Sequence, residues 1–114
     1  MRSFVFYRTE SGRSPVTEFL DSLSGKEMQK VDWVMRLISE TPLVPAEYFK
    51  KLRGTDGLWE VRVQAAGKGL RFLGFVFKGN VIVLANGFDK KSPKTPKSEI
   101  ALAERRKADY LRRH

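Results

Sequence analysis

The feature that most constrains this chain is the stretch from Leu58 to Asn86, where three strand-length segments are separated only by glycine turns. Trp59, Val61 and Val63 alternate with Leu58, Glu60, Arg62 and Gln64, the two-residue period of a strand with one apolar and one polar face. Gly67-Lys68-Gly69 turns the chain into a segment from Leu70 to Lys78, and the Gly79-Asn80 link fits a tight hairpin into Val81 to Asn86. Strands joined so closely run antiparallel, so a meander occupies the middle of the chain and the other elements must cover it.

Ser3 to Arg8 reads as a first strand, apolar and aromatic. Ser14 before Pro15 is a helix start, and Val16, Phe19, Leu20 and Leu23 then recur at helical spacing. Ser24-Gly25-Lys26-Glu27 fits a capping box, followed by one apolar stripe of Met28, Val31, Val34, Met35 and Ile38 that ends at Thr41-Pro42. These two helices should form a hairpin. Trp33 falls on the opposite side from that stripe, as an exposed aromatic or a contact for another chain. Pro42 to Asp56 reads as loop with at most a short helical turn. Asp89 to Lys97 reads as a basic loop, and Thr95-Pro96 repeats the cap-plus-proline signature for a last helix running towards Arg112. The expectation is one α/β (α+β) domain over residues 1–114, in the order β-α-α-β-β-β-α. A mainly antiparallel sheet of about four strands should carry the two N-terminal helices on one face and the basic residues on the other.

Composition narrows the chemistry. The chain has no cysteine, which excludes disulfides, thiolate zinc sites and a cysteine nucleophile, and a reducing compartment suits it. Its one histidine is His114, the last residue, which leaves no histidine-dependent triad and no histidine-based metal cluster. The glycines match neither dinucleotide-binding nor nucleoside-triphosphate loops, so no cofactor and no metal is implied. The N-terminal residues lack the apolar core of a secretory signal and no segment suits a bilayer span, so a cytoplasmic protein without a membrane partner is expected. Lysine and arginine number 22 against 13 acidic residues, for a net charge of +9. A field of that sign attracts polyanions, nucleic acid first among them.

The basic residues gather around the meander: Lys50, Lys51 and Arg53 before it, Arg62 and Arg71 within it, Lys90, Lys91 and Lys94 after it. Cleaving RNA through its own 2′-hydroxyl requires a group to accept that proton, charge to stabilise the phosphorane and an acid for the leaving 5′-oxygen. Clustered lysine and arginine supply the charge, and a lysine among cations loses basicity and can move protons. Solvated surface charge is the competing account of all these residues. Glu60, two residues before Arg62 on the same face, reads more readily as an ion-pair partner that orients an arginine than as a general base. Phe88 is the aromatic best placed to stack on a base, with core packing the alternative. On the last helix, Arg105, Arg106, Arg112 and Arg113 fall on the side away from Ile100, Ala103 and Leu111, facing solvent or phosphate.

The stretch Phe49-Lys50-Lys51-Leu52-Arg53-Gly54-Thr55-Asp56-Gly57-Leu58-Trp59-Glu60-Val61-Arg62-Val63 resembles the RelE/HigB superfamily of toxins, and within it the phage-derived HigB-like branch. The resemblance continues through Gly69-Leu70-Arg71-Phe72, Val83 to Phe88, Lys90-Lys91, Lys94-Thr95-Pro96, and Glu99-Ile100 to Tyr110. It implies the toxin of a type II toxin–antitoxin system: a ribosome-dependent mRNA endonuclease, metal-independent, that inhibits translation and is held inactive by a cognate antitoxin, a helix-turn-helix protein. Lys51 and Arg53 match the basic positions before the central strand, Arg62 and Arg71 the arginines that hold the scissile phosphate, and Lys90 and Lys91 the basic end of the last strand. Some superfamily members place a histidine or tyrosine near the end of the last strand as proton donor, whereas this chain reads Asn86-Gly87-Phe88-Asp89 there. Either Lys90 or Lys91 is then the donor, or Tyr110 on the last helix is, or this branch cleaves weakly. A non-catalytic basic module that binds RNA or an acidic protein is the alternative.

Overall fold

The computed structural model describes all 114 residues. Its elements are β1 (Ser3–Phe6), α1 (Pro15–Asp21), α2 (Gly25–Glu40), β2 (Phe49–Lys51), β3 (Leu58–Ala65), β4 (Lys68–Phe77), β5 (Val81–Lys90) and α3 (Lys97–Arg113). The strands form one sheet in the order β1-β5-β4-β3-β2, antiparallel except where β1 joins β5 in parallel. This is the expected mixed α+β architecture with one strand more.

Both N-terminal helices start where local chemistry places them. The Ser14 hydroxyl accepts from Thr17 N ahead of Pro15, and the Ser24–Glu27 capping box is closed in both directions. Glu27 is also buried and meets Lys68 at 3.1 Å, which fastens the start of α2 to the β3–β4 turn. The stripe of Val31, Val34 and Ile38 joins Val16 over Val61, Val63, Phe72 and Leu84 as the larger core. The two helices are not a hairpin in the packed sense: α1 lies over β5 and α2 over β3 and β1, each docked on the sheet more than on the other. Trp33 is 49% exposed, edge-to-face on Tyr48 with the Lys30 ammonium over its ring, so it belongs to the surface.

Four boundaries differ from expectation. The loop read over Pro42 to Asp56 contains β2, a three-residue edge strand pairing Phe49–Lys51 with Trp59–Val61. The β3–β4 turn is Ala66-Gly67, both with positive φ, so β4 begins at Lys68 rather than Leu70. The next turn spans Lys78 to Asn80, because Phe77 pairs with Val81. Most important for function, β5 runs on through Gly87-Phe88-Asp89 to Lys90, which carries the start of the basic loop into the sheet. That extension follows a β-bulge between Leu73 and Gly74, where a Cβ on Gly74 would stand 2.2 Å from the Val83 carbonyl oxygen.

The second sheet face is not an open polar surface. Helix α3 covers half of it, burying Leu58, Leu73 and Ala85 against Ala103, and Phe75 and Val83 against Tyr7 and Tyr110. Its C-terminal end is tied to β1 by the Tyr7 hydroxyl, which donates to Asp109 at 2.6 Å. The half that α3 leaves uncovered holds the charged residues.

Candidate nucleic-acid interface

The register of the sheet assembles the site. Directly paired residues of antiparallel strands share a face, so the Arg62–Arg71 pair and the Arg71–Phe88 pair form one row across β3, β4 and β5. The Lys50–Glu60 pair lies in the neighbouring row, and Lys90, paired with Gly69, lies on the other side. Lys50, Glu60, Arg62, Arg71, Phe88 and Lys90 therefore meet on one patch. Two arginines directly opposite one another repel, and the sheet tolerates them only with a counter-charge.

Glu60 supplies it. Its side chain is 3% exposed, with Oε1 3.3 Å from Arg62 Nε and 3.7 Å from Arg71 Nε. This is the ion-pair geometry expected of it. Both Nε atoms are buried and lack an aligned hydrogen bond, so the carboxylate holds the arginines by charge. The second oxygen, Oε2, accepts from Thr95 Oγ1 at 2.6 Å. Arg71 is further fixed by donation from Nη1 to Leu70 O at 2.9 Å, and a side chain at Gly69 would stand 3.4 Å from that same Nη1. A shallow cleft of about 300 Å³ opens beside the pair, lined by Glu47, Arg62, Val63, Gln64 and Arg71.

Burial sets the electrostatics. It pulls the Arg71 guanidinium below its ordinary pKa, with Glu60 opposing and Arg62 reinforcing the shift. Burial likewise lowers the Lys90 pKa; Glu60 opposes this, and the positive charges of Arg71, Arg62 and Lys50 add to it. A lysine so placed exchanges its proton more readily than a free surface lysine.

The other residues singled out from sequence lie elsewhere. Lys51 pairs with Trp59 and so projects from the opposite face to Glu60 and Arg62; Lys50, exposed, takes the position on the face of the patch instead. Arg53 is exposed in the β2–β3 loop, and Lys91 and Lys94 are exposed in the loop after β5. Phe88 is half-buried against the core beneath α3, with its position in the row beside Arg71. Tyr110 is only 8% exposed, packed between Phe75 and Phe77 near the C-terminal end of α3. Thirteen helical residues from Lys97, it lies about 20 Å along α3 from the end that Thr95 ties to Glu60, which removes it as proton donor. The arginines of α3 do not form one free basic face. Arg106 turns inward to donate to the Ala85 carbonyl over the Tyr7 ring, Arg112 and Arg113 are exposed but bound to Asp109, and Arg105 stands exposed without an ion-pair partner, while Leu111, expected to dock, is 46% exposed. Thr95 was the one participant not foreseen: its neighbour Pro96 marks it as a helix cap, a signal that conceals its bond to Glu60.

A five-stranded sheet with helices on both faces and a carboxylate-anchored arginine pair on its uncovered half defines a small α+β domain with a positively charged patch. Residues 18–108 match the family described as phage derived protein Gp49-like (DUF891), and the chain belongs to that family, a toxin-like family of RelE/HigB type. No match to a curated protein is found. The matched span takes in every motif stretch noted above except the final Asp109-Tyr110.

Proposed function

We propose that this protein is the toxin of a type II toxin–antitoxin system, of the HigB-like branch, and acts in the cytoplasm as a ribosome-dependent mRNA endonuclease without metal. The observation that carries this reading is the Arg62–Arg71 pair, held on a sheet face by the buried Glu60 carboxylate with Lys90 alongside. Two fixed guanidinium groups suit the two charges that grow on a phosphorane, and fixing them beforehand removes the reorganisation that free arginines would need. The 2′-oxygen of the RNA attacks the adjacent phosphorus and the bond to the 5′-oxygen breaks, leaving a 2′,3′-cyclic phosphate and a 5′-hydroxyl. Lys90 serves as proton carrier for these oxygens, Lys50 adds charge along the backbone, and Phe88 offers a ring edge to a base. An acidic arm of the antitoxin, itself a helix-turn-helix protein, neutralises the patch by charge complementarity.

Induction in a bacterial host, with the cut ends of mRNA mapped, tests the proposal. Wild type should arrest growth, and Arg71→Ala should lower cleavage about 100-fold, the cost of one preorganised charge donor, while remaining folded. Arg71→Lys should rescue little, because a point charge replaces a two-pronged donor. Cuts bearing a 3′-hydroxyl and 5′-phosphate would overturn the mechanism. Harmless expression of a chain that still binds RNA would favour the non-catalytic module.

A further inference from the structure

Thr95 breaks a local rule. It stands before Pro96, where a threonine ordinarily accepts from the first turn of a helix and satisfies one of its free N–H groups. Here α3 begins with Pro96 as its cap residue and no side-chain bond to the first turn. The threonine hydroxyl instead donates across 35 residues of sequence to Glu60 Oε2 at 2.6 Å. A helix left without its cap gives up about 1 kcal/mol, so the hydroxyl is placed where it is for something other than the helix.

What it does at Glu60 follows from the two oxygens. A buried carboxylate with only one oxygen engaged can rotate, and Oε1 here serves two arginines at 3.3 and 3.7 Å without an aligned hydrogen bond to either. Those contacts are electrostatic and weak in direction, and they do not by themselves fix the carboxylate plane. The bond from Thr95 does: a donor at 2.6 Å on Oε2 sets the rotation about the last side-chain torsion and so sets where Oε1 stands between the guanidinium groups. The same bond fastens the Lys91–Pro96 loop beside the patch.

We infer that Thr95 is a positioning residue, which acts through Glu60 to aim Arg62 and Arg71, so that the capping signature of this chain is spent on its arginine pair. The inference rests on the ribonuclease reading for its functional consequence but not for its structural one. Thr95→Val removes the hydroxyl at nearly constant volume, and Thr95→Ser retains it. The direct measurement is the NMR signal of the Arg62 and Arg71 Nε–H groups in the whole protein. Thr95→Val should move both signals and speed their solvent exchange about 10-fold or more, whereas Thr95→Ser should leave them as in wild type. In cleavage assays Thr95→Val should lower kcat about 10- to 100-fold with KM within about twofold, the pattern of a misaimed charge donor rather than a lost binding contact. A residue that only closed the loop would lower the melting temperature and leave the arginine signals of the folded protein in place. Unchanged arginine signals in Thr95→Val, or equal losses in Thr95→Ser, would overturn the inference. If the signals move as stated and the wild-type protein cleaves no RNA, the positioning role stands and the ribonuclease reading falls.

Discussion

Replacing Glu60 with glutamine keeps the shape of the arginine patch and removes its counter-charge. At an effective dielectric near 20, a unit charge pair at the observed 3.3 Å is worth about 5 kcal/mol and at 3.7 Å about 4.5 kcal/mol. Most of that attraction offsets the desolvation of two buried charges and one half-buried charge, and the repulsion between two arginines paired across β3 and β4. What decides the cost of Glu60→Gln is the state left behind. The Arg71 side chain is 11% exposed and loses the anion it pairs with, while Arg62, at 30%, recovers part of its hydration. Stranding a buried charge costs about 3–5 kcal/mol, and the partial exposure of Arg62 places this substitution near the lower figure, about 3 kcal/mol. In a domain of this size that lowers the melting temperature by about 12 °C, at roughly 4 °C per kcal/mol. Urea unfolding followed by circular dichroism, run on wild type, Glu60→Gln, Arg71→Met and the double variant, measures both the loss and the coupling. The double variant should be more stable than Glu60→Gln alone, with a coupling energy of about 1–3 kcal/mol. A loss below about 0.5 kcal/mol, or strict additivity, would show that the arginines are held by something other than this carboxylate.

The Tyr7–Asp109–Arg113 contact makes stability pH-dependent. The Tyr7 hydroxyl, and then Arg113, hold the Asp109 carboxyl down from its ordinary 3.8 to about 2, so its contribution is complete above about pH 4 and fades as pH falls towards 2. Urea midpoints at pH 5 and pH 2 should differ more in wild type than in Asp109→Asn, and equal differences would remove Asp109 from that dependence. Gly74→Ala should destabilise the protein by about 2–3 kcal/mol or prevent its folding, because the new Cβ meets the Val83 carbonyl at 2.2 Å within the bulge; a melting temperature within 2 °C of wild type would refute the packing described there.

How much of this was legible in the sequence depends on how each residue is held. Ser14, Ser24 and Glu27 announce their helices because capping is a contact among neighbours, and the structure shows those caps as read. The alternation of Leu58–Gln64 gave the strand but not the fate of its polar face, since Glu60 is buried by partners from β4 and from the loop before α3. Edge strand β2 left no periodic trace: three residues in a basic tract show no alternation, and its pairing with Trp59–Val61 makes it a strand. That same register exchanges the places of Lys50 and Lys51, a one-residue distinction that composition does not carry. Arg106 illustrates the limit from the other side, because helical angle placed it with the solvent-facing arginines whereas a carbonyl of β5 draws it inward. Tyr110 needed the sheet to be located at all.

The parallel pairing of β1 with β5 sets an order of assembly. Ser3 to Phe6 lie beside Val81 to Leu84, so β1 waits for β5, the last of the five strands, before it has a sheet neighbour. The strand that β1 awaits is also the one that brings Phe88 and Lys90 to Arg71, and Thr95 follows it by only a few residues. Contacts of such sequence separation form late and slowly. Glu60, Arg62 and Arg71 can meet within the β3–β4 hairpin, whereas Phe88, Lys90 and the Thr95 bond that complete the patch arrive only with β5 and the loop after it, the same strand that completes the sheet. The complete patch therefore exists only once β5 and Thr95 have joined the β3–β4 hairpin.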